Sequence, residues 1–328
     1  MLDYALSDLR FTENPVLAGT IEFTGCEFIA LCFDDRYSQC EFIDCTFTGC
    51  YFQDFEFAGF KNCVFKGGSF HKDPFSSAYI SGCSFTSIDL SGVFYEGSLE
   101  DCGFFECAMR SAVFGELSQC QFEYCNLSHA TIVTMSGCTM KTSDAPWISL
   151  KNISQCSFDS VDFGTTLKIS GGYIEASEFS GCSLNQSKFT HTKFSVVDLN
   201  SCLMTKAIFE DCEAIQLAFS SCETTKARFT RVDFEGGSFS ILDGMEQSQA
   251  KSMEFNSCQF TNDHMFHSQD MQKSLFFDCH DVEFHFTASN LSGLQFAACS
   301  GEVSHNECIT MSPAIDAFSC DNLEFIQY

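Results

Sequence analysis

The sequence predicts an all-β solenoid: a chain wound into stacked square coils around a column of apolar side chains. Three observations predict it. A large apolar residue recurs every five positions, as in Ile169, Ile174, Phe179, Leu184, Phe189, Phe194, Leu199, Met204 and Phe209. A small or medium residue stands two places before it, as in Cys182, Cys202, Ala207, Cys212 and Cys222. The composition shows the same demand, with 39 Phe and 22 Cys against one Trp and four Pro, so one kind of position asks for the same side chain again and again.

A period of five matches neither the 3.6 of a helix nor the 2 of an ordinary strand. A chain that sends two side chains inward in every five, with polar residues at the other three, must turn a corner in each unit. Four such sides close a coil of about twenty residues, and coils stack about 4.8 Å apart through backbone hydrogen bonds, as in a parallel sheet. With 328 residues, 45% of them hydrophobic, the chain can bury a sizeable core.

In chain order, residues 1–20 precede the frame and are expected to cap its first coil. Residues 21–239 form the regular solenoid. Within them Leu99, Leu117, Met135 and Ile153 lie eighteen apart, each reached by a step of three, as in Phe114 to Leu117 and Ile132 to Met135. Phe57 to Phe60 is the same step. This predicts coils with one clipped corner, stacked along one edge, and places Lys151 at the inward position before Ile153. Phe33 to Phe42 spans nine residues rather than ten, so residues 34–39 are expected to form an insertion loop with Arg36 and Tyr37 exposed. A second insertion is expected from Ile241 to Met253. Residues 240–328 continue the pattern less regularly, through Phe284, Leu291, Phe296, Phe318 and Leu323, and are expected to end in the C-terminal cap that a solenoid needs.

The cysteines occupy a structural position, as Cys26-Glu27-Phe28, Cys83-Ser84-Phe85 and Cys258-Gln259-Phe260 show. A disulfide framework suits short secreted chains without a core, and no C-x-x-C metal spacing occurs. Buried free Cys behaves as a small hydrophobe, so the thiols are expected to be reduced. Residues 1–10 include Asp3 and Asp8 and no basic start before an apolar run, and no stretch of eighteen apolar residues follows. These features predict a soluble, cytoplasmic protein without membrane contact.

The net charge is −27, concentrated toward the ends of the sequence, with −13 over residues 1–130, −3 over 131–239 and −11 over 240–328. Such a surface disfavours direct binding of nucleic acid and anionic membranes and favours a basic protein partner. Counting by twenty puts Glu175, Glu213, Asp233 and Glu235 on one side as a candidate protein-binding surface, and Glu178 and Asp198 on the next. Lys168, Lys188, Arg228 and Arg231 share another side, and Lys206 and Lys226 stack on the last.

The triplets Cys45-Thr46-Phe47, Cys102-Gly103-Phe104, Cys120-Gln121-Phe122, Ala130-Thr131-Ile132 and Ala207-Ile208-Phe209 resemble the core motif of pentapeptide-repeat proteins. The resemblance covers residues 21–239 and implies a right-handed quadrilateral β-helix. Two segments resemble the Qnr group, which protects DNA gyrase and topoisomerase IV from quinolones: Phe33-Asp34-Asp35-Arg36-Tyr37-Ser38-Gln39-Cys40-Glu41-Phe42 and Ser77-Ala78-Tyr79-Ile80. That likeness implies a DNA mimic directed at a type II topoisomerase, an end-to-end homodimer, and a binding role for Asp34, Asp35, Arg36 and Tyr37. The alternative is a scaffold or effector with another protein partner. Full-length imitation of a duplex over about 75 Å would need about 44 charges, so imitation falls to the two acidic ends.

Catalysis is not expected. The sequence holds no Gly-rich phosphate loop followed by Lys and no G-x-S-x-G elbow, and a filled solenoid offers no pocket. His264, His267, Cys279, His280 and His285 gather ligand types without a zinc spacing, so neither metal nor cofactor is expected.

Overall fold

The computed structural model describes residues 4–15, 21–38, 40–53, 59–71, 79–165, 167–240, 252–261, 264–267, 271–280, 282–309, 315–318, 320 and 323–327. Among them the regular structure is strand, apart from one 3-10 turn at Asp35–Tyr37, and no helix is long and apolar enough to cross a membrane. Two compact units divide the chain, Met1–Leu150 and Lys151–Tyr328. Gln39, residues 241–251, the Phe57 side of the early three-residue step and the Ser77-Ala78 half of the second Qnr-like segment lie outside the described residues.

In the first unit each coil lays parallel strands on the coil before it. Phe23, Phe42, Phe60, Ile80, Leu99, Leu117 and Met135 stand in register on one face. The next face carries Phe28, Phe47, Phe65, Phe85, Phe104 and Phe122. From Phe28 to Phe47, Phe65, Phe85, Phe104 and Phe122 the rings stack at 5.0, 4.8, 4.7, 4.8 and 4.9 Å. A phenyl suits the position because it is flat enough to repeat at strand spacing and buries a large apolar area. Corners take a left-handed residue just before the small inward one, such as Asp44 (φ 53°) before Cys45 and Asp101 (φ 53°) before Cys102.

The small inward position has its own chemistry. The Cys45 thiol donates to the Phe23 carbonyl of the preceding coil and to the Ile43 carbonyl, each at 3.3 Å. Cys63 reaches Phe42 in the same way at 3.3 Å and Cys83 reaches Phe60 at 3.5 Å. Cys therefore fills the site as a compact apolar group that still carries a donor for a buried carbonyl. All 22 cysteines are free thiols.

The clipped corners align as expected. Phe114 lies over Ile132 and Leu117 over Met135, within the strands Val113–Ser118 and Thr131–Ser136, which run straight through where a corner would stand. The residue two before the inward one then points outward, as Val133 does at 42% exposure. Lys151, expected inward, is likewise exposed. A strand with inward residues three apart leaves that intermediate position facing solvent.

Residues 34–38 correct the expected loop. Tyr37 is fully buried, its ring 4.8 Å from that of Phe33. The nine-residue step is a shortened side of the coil in which Tyr37 takes the place of an inward Phe.

The second unit repeats the plan. Ile169, Phe189, Phe209, Phe229, Phe255, Phe276 and Phe296 share a face in register, and from Phe189 onward the rings stack at 4.8, 4.8, 4.8, 4.6 and 5.1 Å. Phe229 and Phe255 pair directly although twenty-six residues separate them, so the second insertion adds length without disturbing the column. Phe284, Leu291 and Phe296 are buried, whereas Ile309 and Phe325 are 46% and 43% exposed, so apolar positions late in the chain reach the surface.

Candidate interaction surface

In the first unit the candidate segment is built around Asp34. Its carboxylate caps the 3-10 turn by accepting from the Arg36 amide at 3.2 Å, and it takes both Nε and Nη2 of Arg36 at 2.7 Å. This two-point pairing holds the Asp34 carboxyl below the usual carboxylate range. The pair therefore satisfies itself, and Asp35 stands exposed beside it. Tyr37 cannot touch a partner. Its phenol oxygen accepts from Asn14 Nδ2 at 2.9 Å, and the same amide donates to the Cys32 carbonyl at 2.6 Å. Burial pushes the Tyr37 phenol up. Asn14 is a residue that the periodicity does not single out, because it lies before the frame begins.

In the second unit Glu175, Glu213, Asp233 and Glu235 do share one face, in two columns. One column reads Tyr173, Lys193, Glu213, Asp233 and the other Glu175, Ser195, Ile215, Glu235. Glu213, Asp233 and Glu235 come together on adjacent coils, while Glu175 stands three coils from Glu235. Glu213 is paired with Lys193 at 2.9 Å. Glu178 and Asp198 are neighbours on the following face, beside a groove of about 400 Å³ that also includes Gln155 and Val196.

The basic residues sort as the count by twenty predicts, with two changes: Lys206 and Lys226 stand at a corner rather than on a side of their own, and Arg231 leaves the side of Lys168, Lys188 and Arg228. Lys168, Lys188 and Arg228 occupy one column, and Lys206 and Lys226 turn the corner before it with φ of 61° and 59°. Arg231 instead turns the next corner and pairs with Asp211 and Glu210.

Among the described residues no group of three or more His, Cys, Asp and Glu side chains is placed to hold a metal ion. His280 contacts Asp278 at 3.3 Å, and His285 bonds to Ser304. The buried polar residues among those described are Ser and Thr.

No family model matches the chain, and no curated protein matches it. Among solved structures it is similar to HetL, a pentapeptide-repeat protein involved in heterocyst differentiation regulation from the cyanobacterium Nostoc, at 13% identity over 70% of this chain and 87% of that one, with a TM-score of 0.23. It is similar to full-length QnrB1, a plasmid-mediated fluoroquinolone resistance protein, at 15% identity over 62% and 93% of the two chains, with a TM-score of 0.19. A tailspike protein of the E. coli bacteriophage HK620 matches at 11% identity over 94% and 74%, with a TM-score of 0.27. These identities and scores carry no functional inference. The five-residue frame, the four-sided coils and the parallel in-register stacking, all read from this chain itself, give it the fold of a pentapeptide-repeat protein, a quadrilateral β-helix.

Proposed function

We propose that this protein works without catalysis, by presenting a rigid acidic surface to a basic protein surface, and that the partner is the DNA-binding region of a type II topoisomerase. The observation that carries the reading is the grouping of Glu213, Asp233 and Glu235 on adjacent strands of one face in a chain of net charge −27. Strand backbone fixes the spacing of those carboxylates, so little ordering entropy is lost when a basic surface meets them. The Qnr-like residues around Asp34 and Asp35 narrow the partner to gyrase or topoisomerase IV.

The test is a titration of purified DNA gyrase with the parent and a Glu213→Gln, Asp233→Asn, Glu235→Gln variant at low and moderate salt. A supercoiling assay with and without a quinolone runs alongside. The reading expects weaker binding by the variant and a smaller salt dependence, because exposed charges are screened within about 8–10 Å at moderate ionic strength. Failure of the parent to bind gyrase at low salt would remove gyrase as the partner.

A further inference from the structure

The second unit also carries a basic stripe. Of the nine described Lys and Arg residues from Lys151 onward, six lie on one face and the corner that leads into it. The face column runs Lys168, Lys188, Ile208, Arg228 in register. Two residues upstream, the corner column includes Lys206, Lys226 and, further along, Lys273, with φ of 61°, 59° and 60°. The Lys206 amide bonds to the Thr225 carbonyl of the next coil at 2.9 Å. The two corner lysines therefore stack at the spacing of parallel strands, about 4.8 Å.

Like charges stacked so closely repel, and 44 acidic residues were at hand to relieve them. The structure uses some of these elsewhere on the stripe. Lys188 is paired with Glu210 at 3.2 Å and Arg228 with Glu254 at 3.0 Å. Lys206, Lys226 and Lys273 have no carboxylate within ion-pair distance among the described residues. Between the corner and the face lies a groove of about 360 Å³ lined by Gln186, Lys206, Ile208, Lys226 and Arg228. Half-buried Ile208 is its apolar floor.

We propose that this face is a docking surface for an extended acidic segment of a partner protein. Alternate side chains of an extended peptide point the same way about 6.7 Å apart, so carboxylates reach the corner lysines while an apolar side chain between them settles on Ile208. A nucleic acid fits the surroundings less well. Glu223, bonded to Thr205 at 2.8 Å, borders the stripe on one side, and Glu210 and Asp211 border it on the other. A polyanion broader than one peptide strand meets those carboxylates, whereas a single strand lies between them.

The experiment measures fluorescence anisotropy of a labelled ten-residue oligoglutamate peptide, and of a single-stranded DNA oligonucleotide of ten nucleotides, against the full chain. Both are titrated into the parent, a Lys206→Ala, Lys226→Ala variant, a Lys206→Arg, Lys226→Arg variant and an Asp159→Asn control. All three substituted positions are exposed, and thermal melts confirm that each variant folds. The proposal expects peptide binding at low salt that weakens at least tenfold in the alanine variant, stays within about twofold in the arginine variant and the control, and falls as salt rises. No peptide binding by the parent at low salt, equal binding by the alanine variant, or tighter binding of the oligonucleotide than of the peptide would each overturn it.

Discussion

Asn14 and Tyr37 are tied together across twenty-three residues: the Asn14 amide donates to the Tyr37 phenol oxygen at 2.9 Å. The bond makes a buried tyrosine the pivot of a segment whose neighbours Asp35 and Arg36 are exposed.

The first prediction follows from that bond. Tyr37→Phe keeps the ring and loses the acceptor, so it should cost about 1 kcal/mol, the ordinary worth of one hydrogen bond plus part of the desolvation of the abandoned amide. Tyr37→Ala should cost about 3–5 kcal/mol. Exchanging Asp35 alone for Ser should leave the denaturant midpoint nearly unchanged. A Tyr37→Ala protein as stable as the parent would show that this side of the coil is not packed.

The second prediction separates core from surface. Phe209 is buried between Phe189 and Phe229, each 4.8 Å away, so Phe209→Ala should cost about 3–5 kcal/mol. Glu213→Gln removes one exposed ion pair with Lys193 and should stay within about 0.5 kcal/mol. Urea melts of both variants measure the contrast, and equal losses would contradict the frame.

A third prediction concerns backbone approach. A Cβ at Gly68, where φ is 99°, would lie 1.9 Å from the Cys50 carbonyl oxygen, whereas one at Gly49, φ 60°, meets nothing within 4 Å. Gly68→Ala should therefore lower the melting temperature steeply and reduce soluble yield. Gly49→Ala should cost only about 1–2 kcal/mol, the price of a left-handed residue with a Cβ.

The fourth prediction is alkaline instability. Burial pushes the Cys40 thiol up to about 11, raises Cys50 and Cys212, and pushes the Tyr95 phenol up to about 12. The folded state thus holds protons that the unfolded chain releases near pH 8.5 for Cys and 10 for Tyr. Stability from these groups is whole below those values and is lost as pH rises through about 11 to 12. Melts from pH 7 to 11 should fall progressively, and titration of the denatured protein should find all 22 thiols. A flat profile above pH 8.5, or clearly fewer thiols, would contradict it.

Much of the fold was legible because one rule governs most inward positions. Five-residue spacing from Ile169 to Phe239 places the column, and the three-residue step at Phe114 and Leu117 places the clipped corner. Tyr37 was misread because spacing alone cannot tell an inserted loop from a shortened side; a ring that packs on Phe33 decides the matter. Arg231, Lys206 and Lys226 are corner residues that counting by twenty gives to a side, because a corner residue belongs to neither neighbouring face, and the pairing of Arg231 with Asp211 emerges only when coils stack. The acidic face was readable from counting by twenty, which also sets Glu175 three coils from Glu235, yet the count could not show that Lys193 occupies Glu213.

The in-register phenyl stack bears on how such a chain changes length over generations. Between Ile169 and Phe239 the frame is unbroken, and Phe189, Phe209 and Phe229 offer nearly the same ring to the coil on either side. Duplication or loss of any twenty consecutive codon triplets there joins like to like, so a gene of this kind can gain or shed a storey at a time while natural selection edits only the outward-facing letters.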